Sequence, residues 1–437
     1  MKKALLTLLS LTVTGSLLAA CSGAGSGSAP TSSQGADSTS SKEPVTIQFW
    51  FPGADKANDD YFINVGKEFE ATHPNIKVQT TVLPANAADV ETKLNAAKLA
   101  GNYPDVLSAY LILIGTRGSK DEFAPLDEYI NQWDEKSDIY ESTLAMGKYK
   151  DKTIGLGFYP APEILTYRKD FFQEAGLDPQ KPPATWEELQ QAAEKLTKRD
   201  ANGNVVRAGL DMPATSAGVF FEPFMRQNGS LIIDESNMVP AFTDSKSIEA
   251  FEFLTNLYNK KVSIPFDYQK KDTIPFLNGK SAMSFLQTSA ISSLIKNNPD
   301  LKDKIGFVPV LQREKKVDFS GYRLFTIGSG SKHKEESWEF IKFLMSKEQS
   351  WKRYQELKIP VVRKSLEQQF IQDNPEMNSA LLEYVKYGKG AAVTPWTAIY
   401  NKYIQLAYEE AISGKKTPEQ ALKDAQAGLE KEIANLK

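Results

Sequence analysis

Doubly wound α/β layers around more than one core are what this sequence predicts, and three observations carry the prediction. Between residues 45 and 107 apolar residues alternate, recur at helical spacing and alternate again, in the order strand, helix, strand, helix, strand. That is the rhythm of a parallel sheet with crossover helices. The chain has 437 residues, more than one hydrophobic core ordinarily serves, so two lobes are expected. Its residues are 41% hydrophobic and 11% aromatic, enough to fill such cores.

Taken in order, Val45-Thr-Ile-Gln-Phe-Trp50 alternates as a first strand, and Phe51-Pro-Gly-Ala54 breaks it. Phe62, Val65 and Phe69 then share one helical face, which ends before His73-Pro-Asn75. Ile76, Val78, Thr80 and Val82 alternate as a second strand. Val90, Leu94 and Ala97 mark a second helix stopped by Gly101, and Pro104-Asp-Val-Leu107 opens a third strand. In such sheets ligands sit beyond the carboxyl ends of the strands. That singles out Trp50 and Tyr110, whose plainer reading is as core or loop aromatics. Farther on, Thr153 to Tyr159 reads as a strand loosened by Gly155 and Gly157, with Pro160 and Pro162 denying it regular pairing. Thr185 and Glu188 form a capping box ahead of a helix that buries Leu189, Ala192, Ala193 and Leu196. Asn202-Gly203 is a hairpin turn signal, and Thr417-Pro418 starts the last helix.

Six features follow one another in fixed order between Met146 and Leu189. They are Gly155-Leu-Gly157, Tyr159-Pro160, Leu165-Thr-Tyr167, Phe171, Ala175-Gly-Leu-Asp178 and Pro183-Ala-Thr-Trp-Glu-Glu-Leu189. Together with Leu277 to Ser284, Ser320 to Gly328 and the helix within Ser331 to Ser346, they resemble bacterial extracellular solute-binding proteins of family 1, the sugar-binding lipoproteins of ABC importers. The resemblance implies a two-lobed periplasmic-binding-protein-like fold, each lobe a doubly wound sheet, joined by hinge crossings. It implies an N-terminal lobe of residues 44–159 plus 325–357 and a C-terminal lobe of 160–324 plus 358–437. Two positions depart from the family pattern. Arg168 stands where Asn is usual, and Gln287 where Gly is frequent.

The first twenty residues read as a secretory leader, with Lys2 and Lys3 before an apolar run that is too short for a permanent span. The run ends in Leu18-Ala19-Ala20-Cys21, which resembles a bacterial lipobox and implies diacylglycerol on Cys21, the sole cysteine. Residues 21–43 then form the lipidated end and a Ser/Gly-rich tether of roughly 25 Å root-mean-square reach. The expected location is therefore the outer face of the cell membrane.

A sugar presents hydroxyls around weakly apolar ring faces. Its site needs flat aromatics together with planar polar partners, because an unpaired buried hydroxyl costs about 1–3 kcal/mol. Trp50, Tyr110, Tyr159, Glu163, Glu222, Gln287, Tyr322, Arg323 and Trp396 fall at or near the strand ends and crossings that the resemblance implies, and are the candidate ligand residues. Glu222 and its aromatic neighbours serve equally well as second-lobe core. The expected partners are a carbohydrate, an oligosaccharide above all, and the permease of an ABC importer, with the receptor acting as a monomer and without a cofactor.

Other classes fit less well. A net charge of −3 gives no global reason to bind nucleic acid. Two isolated histidines, His73 and His333, argue against a Ser-His-Asp triad or a histidine zinc site. Asp200-Ala-Asn-Gly-Asn204 fails as a calcium loop because Val205 stands where glycine is required. Gly279-Lys-Ser281 fails as a phosphate loop because Ile274 replaces the earlier glycine. A glycosidase using Glu163 and Glu222, the same fold holding a non-sugar solute such as iron, a polyamine or thiamine, and a lipid-anchored adhesion protein remain as alternatives.

Overall fold

Alternating and helical periodicity place the elements of the first lobe where expected. β1 (Val45–Pro52) runs parallel to β2 (Ile76–Leu83) and to β3 (Val106–Tyr110). The crossovers between them are α1 (Lys56–Thr72), capped by Asp55, and α2 (Ala87–Ala100), capped by Asn86 and stopped by Gly101 at φ 70°. Phe62, Val65 and Phe69 of α1 are fully buried against Phe49 and Phe51, and burial of each such side chain contributes about 1.5–3 kcal/mol. The computed structural model describes residues 44–436 except 216, 217, 235, 268 and 269, and the side chains of 218, 219 and 271 are not described. The leader, Cys21 and the tether lie outside the described residues.

Two long strands join the lobes. The outbound strand (Leu156–Arg168) and the return strand (Asp318–Ile327) pair antiparallel with each other from Leu156↔Phe325 to Pro162↔Ser320. The return strand also pairs with β3, and the far end of the outbound strand pairs with strands at Met283–Gln287 and Ile305–Phe307. A single mixed sheet of eight strands thus runs through both lobes. The outbound strand continues through Pro160 and Pro162, contrary to the expectation that they would deny it regular pairing. Over residues 156–162 it pairs on one side only, so it is an edge there, and a missing proline N–H removes no ladder bond. The register shifts once, around Gly157–Tyr159, as a bulge.

Apolar clusters cover the sheet in each lobe. One first-lobe cluster is built on Phe49, Phe62, Phe158 and Phe325, and another on Leu94, Leu107, Ile114 and Tyr322. The second lobe has a cluster around Trp186, Phe221, Phe251 and Tyr408, and one around Ile164, Leu286, Phe370 and Tyr384. Thr185 and Glu188 form the capping box read from the sequence. The Asn202-Gly203 turn closes a hairpin in which two backbone N–H groups donate to Asp200. A third connection passes through Lys358–Val362, with Val361 in a second-lobe cluster and Val362 in a first-lobe one.

The lobes meet closely at the helix Leu111–Gly118. A Cβ on Gly115 would stand 2.1 Å from the carbonyl oxygen of Thr394, and one on Gly390 would stand 2.1 Å from Leu111 Cδ2. Gly115→Ala is therefore expected to destabilise the protein by about 1–3 kcal/mol through forced backbone displacement, despite a gain in helix propensity of up to about 1 kcal/mol. Urea unfolding checks it, and a variant more stable than the parent would refute so close an approach.

Candidate functional site

At the carboxyl ends of β1 and β3 the ladder sets three candidates in one row. Arg323 of the return strand stands opposite Tyr110 on one side and Tyr159 on the other. Its guanidinium lies 5.2 Å from the Tyr110 ring centroid and 5.1 Å from that of Tyr159, so the cation is held between two π faces. One of its N–H groups donates to the Pro52 carbonyl at 3.3 Å. No carboxylate pairs with it among the described residues, which leaves most of its five donors to the space beyond. The Tyr110 hydroxyl donates to the Ala85 carbonyl at 2.6 Å, fixing that ring. Burial pushes the Tyr159 phenol up, with Arg323 working against the shift.

Trp50 and Tyr322 belong to the neighbouring apolar cluster. Trp50 is half-buried between Thr81 and Leu107, and its indole N–H makes no hydrogen bond among the described residues. Tyr322 is buried, and that burial pushes its phenol up to about 12. Asp105, at the start of β3, takes a hydrogen bond from the Gln48 backbone and one from the Ser331 hydroxyl, so it organises the local turn.

Glu163 and Gln287 face each other across the ladder of the outbound strand. Gln287 and Tyr159 also line a recess of about 230 Å³, together with Pro160 and Pro162 and with Leu357–Pro360 of the third connection. Glu222 sits apart from this group. On the helix Gly218–Gln227 it accepts from Arg226 Nε at 2.9 Å and from the Tyr400 hydroxyl at 3.3 Å, buried in the second lobe. Trp396 is 4% exposed and belongs to the same core cluster, one turn before Tyr400. The structure therefore brings Tyr110, Tyr159 and Arg323 together, sets Glu163 beside Gln287, and gathers Glu222 with Trp396 and Tyr400. The departure Arg168 forms a two-pronged pair with Asp170, at 2.9 and 2.6 Å, and stacks on Phe171.

Two groups escaped the sequence reading. Tyr400 was signalled only by its spacing of four from Trp396 on one helix. Asp318 opens the return strand fully buried, with its carboxyl pushed up to about 8. Desolvation is the main cause; a bond from the Phe319 backbone N–H opposes it, and the Glu163 charge adds to it. A lone aspartate at a strand start gives no signal of such burial.

The sequence profile of the bacterial extracellular solute-binding protein family matches residues 64–379. The sn-glycerol-3-phosphate-binding periplasmic protein UgpB of Escherichia coli K12 is 24% identical over 413 residues, covering 87% of this chain and 91% of that one. The crystal structure of CpMnBP1 with mannotriose bound is 26% identical, covers 88% of this chain and 100% of that one, and superposes with a TM-score of 0.69. The sugar-binding protein MalE of Xanthomonas citri shares the fold with a TM-score of 0.80 at 19% identity, over 90% of this chain and 98% of that one. Among the described residues no helix is long and apolar enough to cross a membrane.

Two predictions follow from the buried acids. Removing Glu222 leaves Arg226 buried without this carboxylate, so Glu222→Ala should cost about 3 kcal/mol in urea unfolding; a loss under 1 kcal/mol would mean the pair is solvated. Asp318 differs in sign from a salt-bridged acid. Its folded pKa lies above the unfolded value of about 3.9, so between about pH 4 and 8 the folded form holds a proton that the unfolded form has released. The stability this group confers is full below about pH 4 and is lost as pH rises through 8. Asp318→Asn should flatten the fall in stability between pH 5 and 8, leaving the share due to Asp211, which is pushed up to about 7. Equal slopes in the variant and the parent would refute the assignment.

Proposed function

The chain belongs to the bacterial extracellular solute-binding protein family, and from that premise we propose that it is a lipid-anchored receptor for a carbohydrate. It binds an oligosaccharide between its lobes and delivers it to the permease of an ABC importer. Cys21 carries the lipid, the receptor works as a monomer, and the glycan leaves unchanged, so the protein is not an enzyme.

The observation that carries the reading is the Tyr110–Arg323–Tyr159 row at the strand ends. Two ring faces suit the apolar face of a sugar, and a guanidinium with free donors suits a pair of adjacent hydroxyls. Trp50, half-buried beside the row, adds a further aromatic face. Glu163 and Gln287 supply planar partners at the crossing, Tyr322 belongs to the apolar cluster against which Trp50 and Tyr110 pack, and Glu222 and Trp396, buried in the second-lobe core, support that lobe from within. A relative that binds mannotriose supports the choice of an oligosaccharide. The glycerol-phosphate-binding relative supports a second reading, the same fold holding a non-sugar solute.

Mechanism follows from differential contact. A ligand that touches both lobes stabilises the form in which they are together, because only there does it meet both walls. Bending falls on the three connections at 159–162, 320–323 and 358–361.

The test is thermal unfolding and tryptophan fluorescence against a panel of mono- and oligosaccharides, with recovery of the ligand. A true ligand at about 100 times its Kd should stabilise by roughly 2.7 kcal/mol and be recovered intact. Arg323→Ala should weaken it by about 10- to 100-fold, the loss of a charged hydrogen bond worth about 1.5–3 kcal/mol. No response across the panel would remove the sugar, and consumption of the glycan would make the protein an enzyme.

A further inference from the structure

A cavity of about 830 Å³ opens between the lobes, within the size range of ligand pockets, and none of the nine candidate residues lines it. The Lys148–Thr153 hairpin and the short helix before it form one wall. The other wall is the segment Lys386–Val393 with Lys316 and Met238. Its charge is nearly all of one sign. Lys148, Lys150, Lys316, Lys386 and Lys389 line it, against the single carboxylate of Asp151.

The ammonium groups are not all neutralised by the protein. Lys316 pairs with Glu383 at 2.7 Å and Lys386 with Glu367 at 2.6 Å, both acids set back from the cavity lining. Lys148 and Lys150 make no ion pair among the described residues. Lys150 holds a left-handed turn position at φ 53°, where glycine or asparagine is less strained, and its ammonium lies 5.5 Å from the Tyr149 ring centroid. The cavity also has a flat face. Tyr387 is 42% exposed on its lining, with the Lys316 ammonium 4.8 Å from its ring centroid.

Like charges on facing walls repel as the lobes approach, and a recess lined by one sign concentrates the opposite sign. A neutral sugar leaves that repulsion in place, whereas an anionic group between the walls reverses it. Met238 and Val393 on the cavity lining pack against the same apolar cluster as Trp50 and Tyr110 of the proposed sugar site. We propose that the ligand is an acidic saccharide, its uronate carboxylate or phosphate ester seated against Lys148, Lys150 and Lys316 with a ring face on Tyr387. This deepens the receptor reading and rests on it.

Titration calorimetry on the full chain tests it, with trigalacturonate, glucose 1-phosphate and neutral maltotriose as probes at low and at moderate salt. At low salt an acidic probe should bind at least tenfold more tightly than maltotriose. That ratio should fall at least fivefold in the Lys148→Met/Lys150→Met variant, and fall again as salt screens the charges. Both lysines are exposed, and circular dichroism verifies that the variant folds. Trigalacturonate alone binding identifies the carboxylate, and glucose 1-phosphate alone identifies the phosphate; either supports the proposal. Maltotriose binding as tightly as both acids, or a ratio unchanged in the variant, overturns the acidic ligand and leaves the receptor standing. Failure of all three probes and of the wider glycan panel overturns both.

Discussion

The pairing of two strands that cross between lobes is the constraint on which the rest of this molecule depends. The outbound and return strands lie antiparallel, and their register decides which side chains face one another. A slip of one residue would turn every side chain to the opposite face. It would separate Arg323 from Tyr159 and expose Phe325, which now stacks on Phe158 at 3.7 Å. The bulge at Gly157–Tyr159 lets Phe158 stay in the core while Tyr159 aligns with the guanidinium. Gly157 suits that position for lack of room, since a Cβ there would lie 2.9 Å from the Thr143 carbonyl.

For the proposed receptor to close, the same strands bend. Where they leave the first lobe, the outbound strand has a partner on one edge only, and two prolines occupy that stretch. Fewer ladder bonds cross this region than cross either lobe, so bending there breaks less than bending elsewhere. Within the aromatic row Tyr110 is tied to Ala85 and Arg323 to Pro52. The second-lobe group around Glu222 is likewise internally bonded, to Arg226 and Tyr400.

Most of the first lobe was legible because its residues repeat with clean periods. Ile47, Phe49 and Phe51 alternate into one core, and Phe62, Val65 and Phe69 meet them from a helix. Caps such as Thr185 with Glu188, and the Asp200 hairpin, are short-range chemistry and survive in any fold. What sequence did not disclose depends on distance along the chain. The Glu222–Tyr400 bond joins residues 178 apart, and the lysine-lined cavity gathers residues from near 150, 316 and 389. No local pattern marks such meetings. The prolines misled for a related reason, since their cost depends on whether a neighbouring strand lies on that edge, which only the tertiary pairing decides.

A receptor that closes on its ligand needs two arrangements separated by little free energy, because a ligand shifts the equilibrium only by its preference for one of them. Two opposing features of this chain bear on that balance. Backbone-close contacts between the lobes, Gly115 with Thr394 and Gly390 with Leu111, favour the lobes together by dispersion and by removing apolar surface from water. The lysines that line the cavity, of which Lys148 and Lys150 make no ion pair among the described residues, favour them apart, more so at low ionic strength. Neither term needs to be large. If they nearly cancel, the row of Tyr110, Arg323 and Tyr159 can decide the outcome with a few hydrogen bonds, and an anion that cancels the repulsion acts on the same balance.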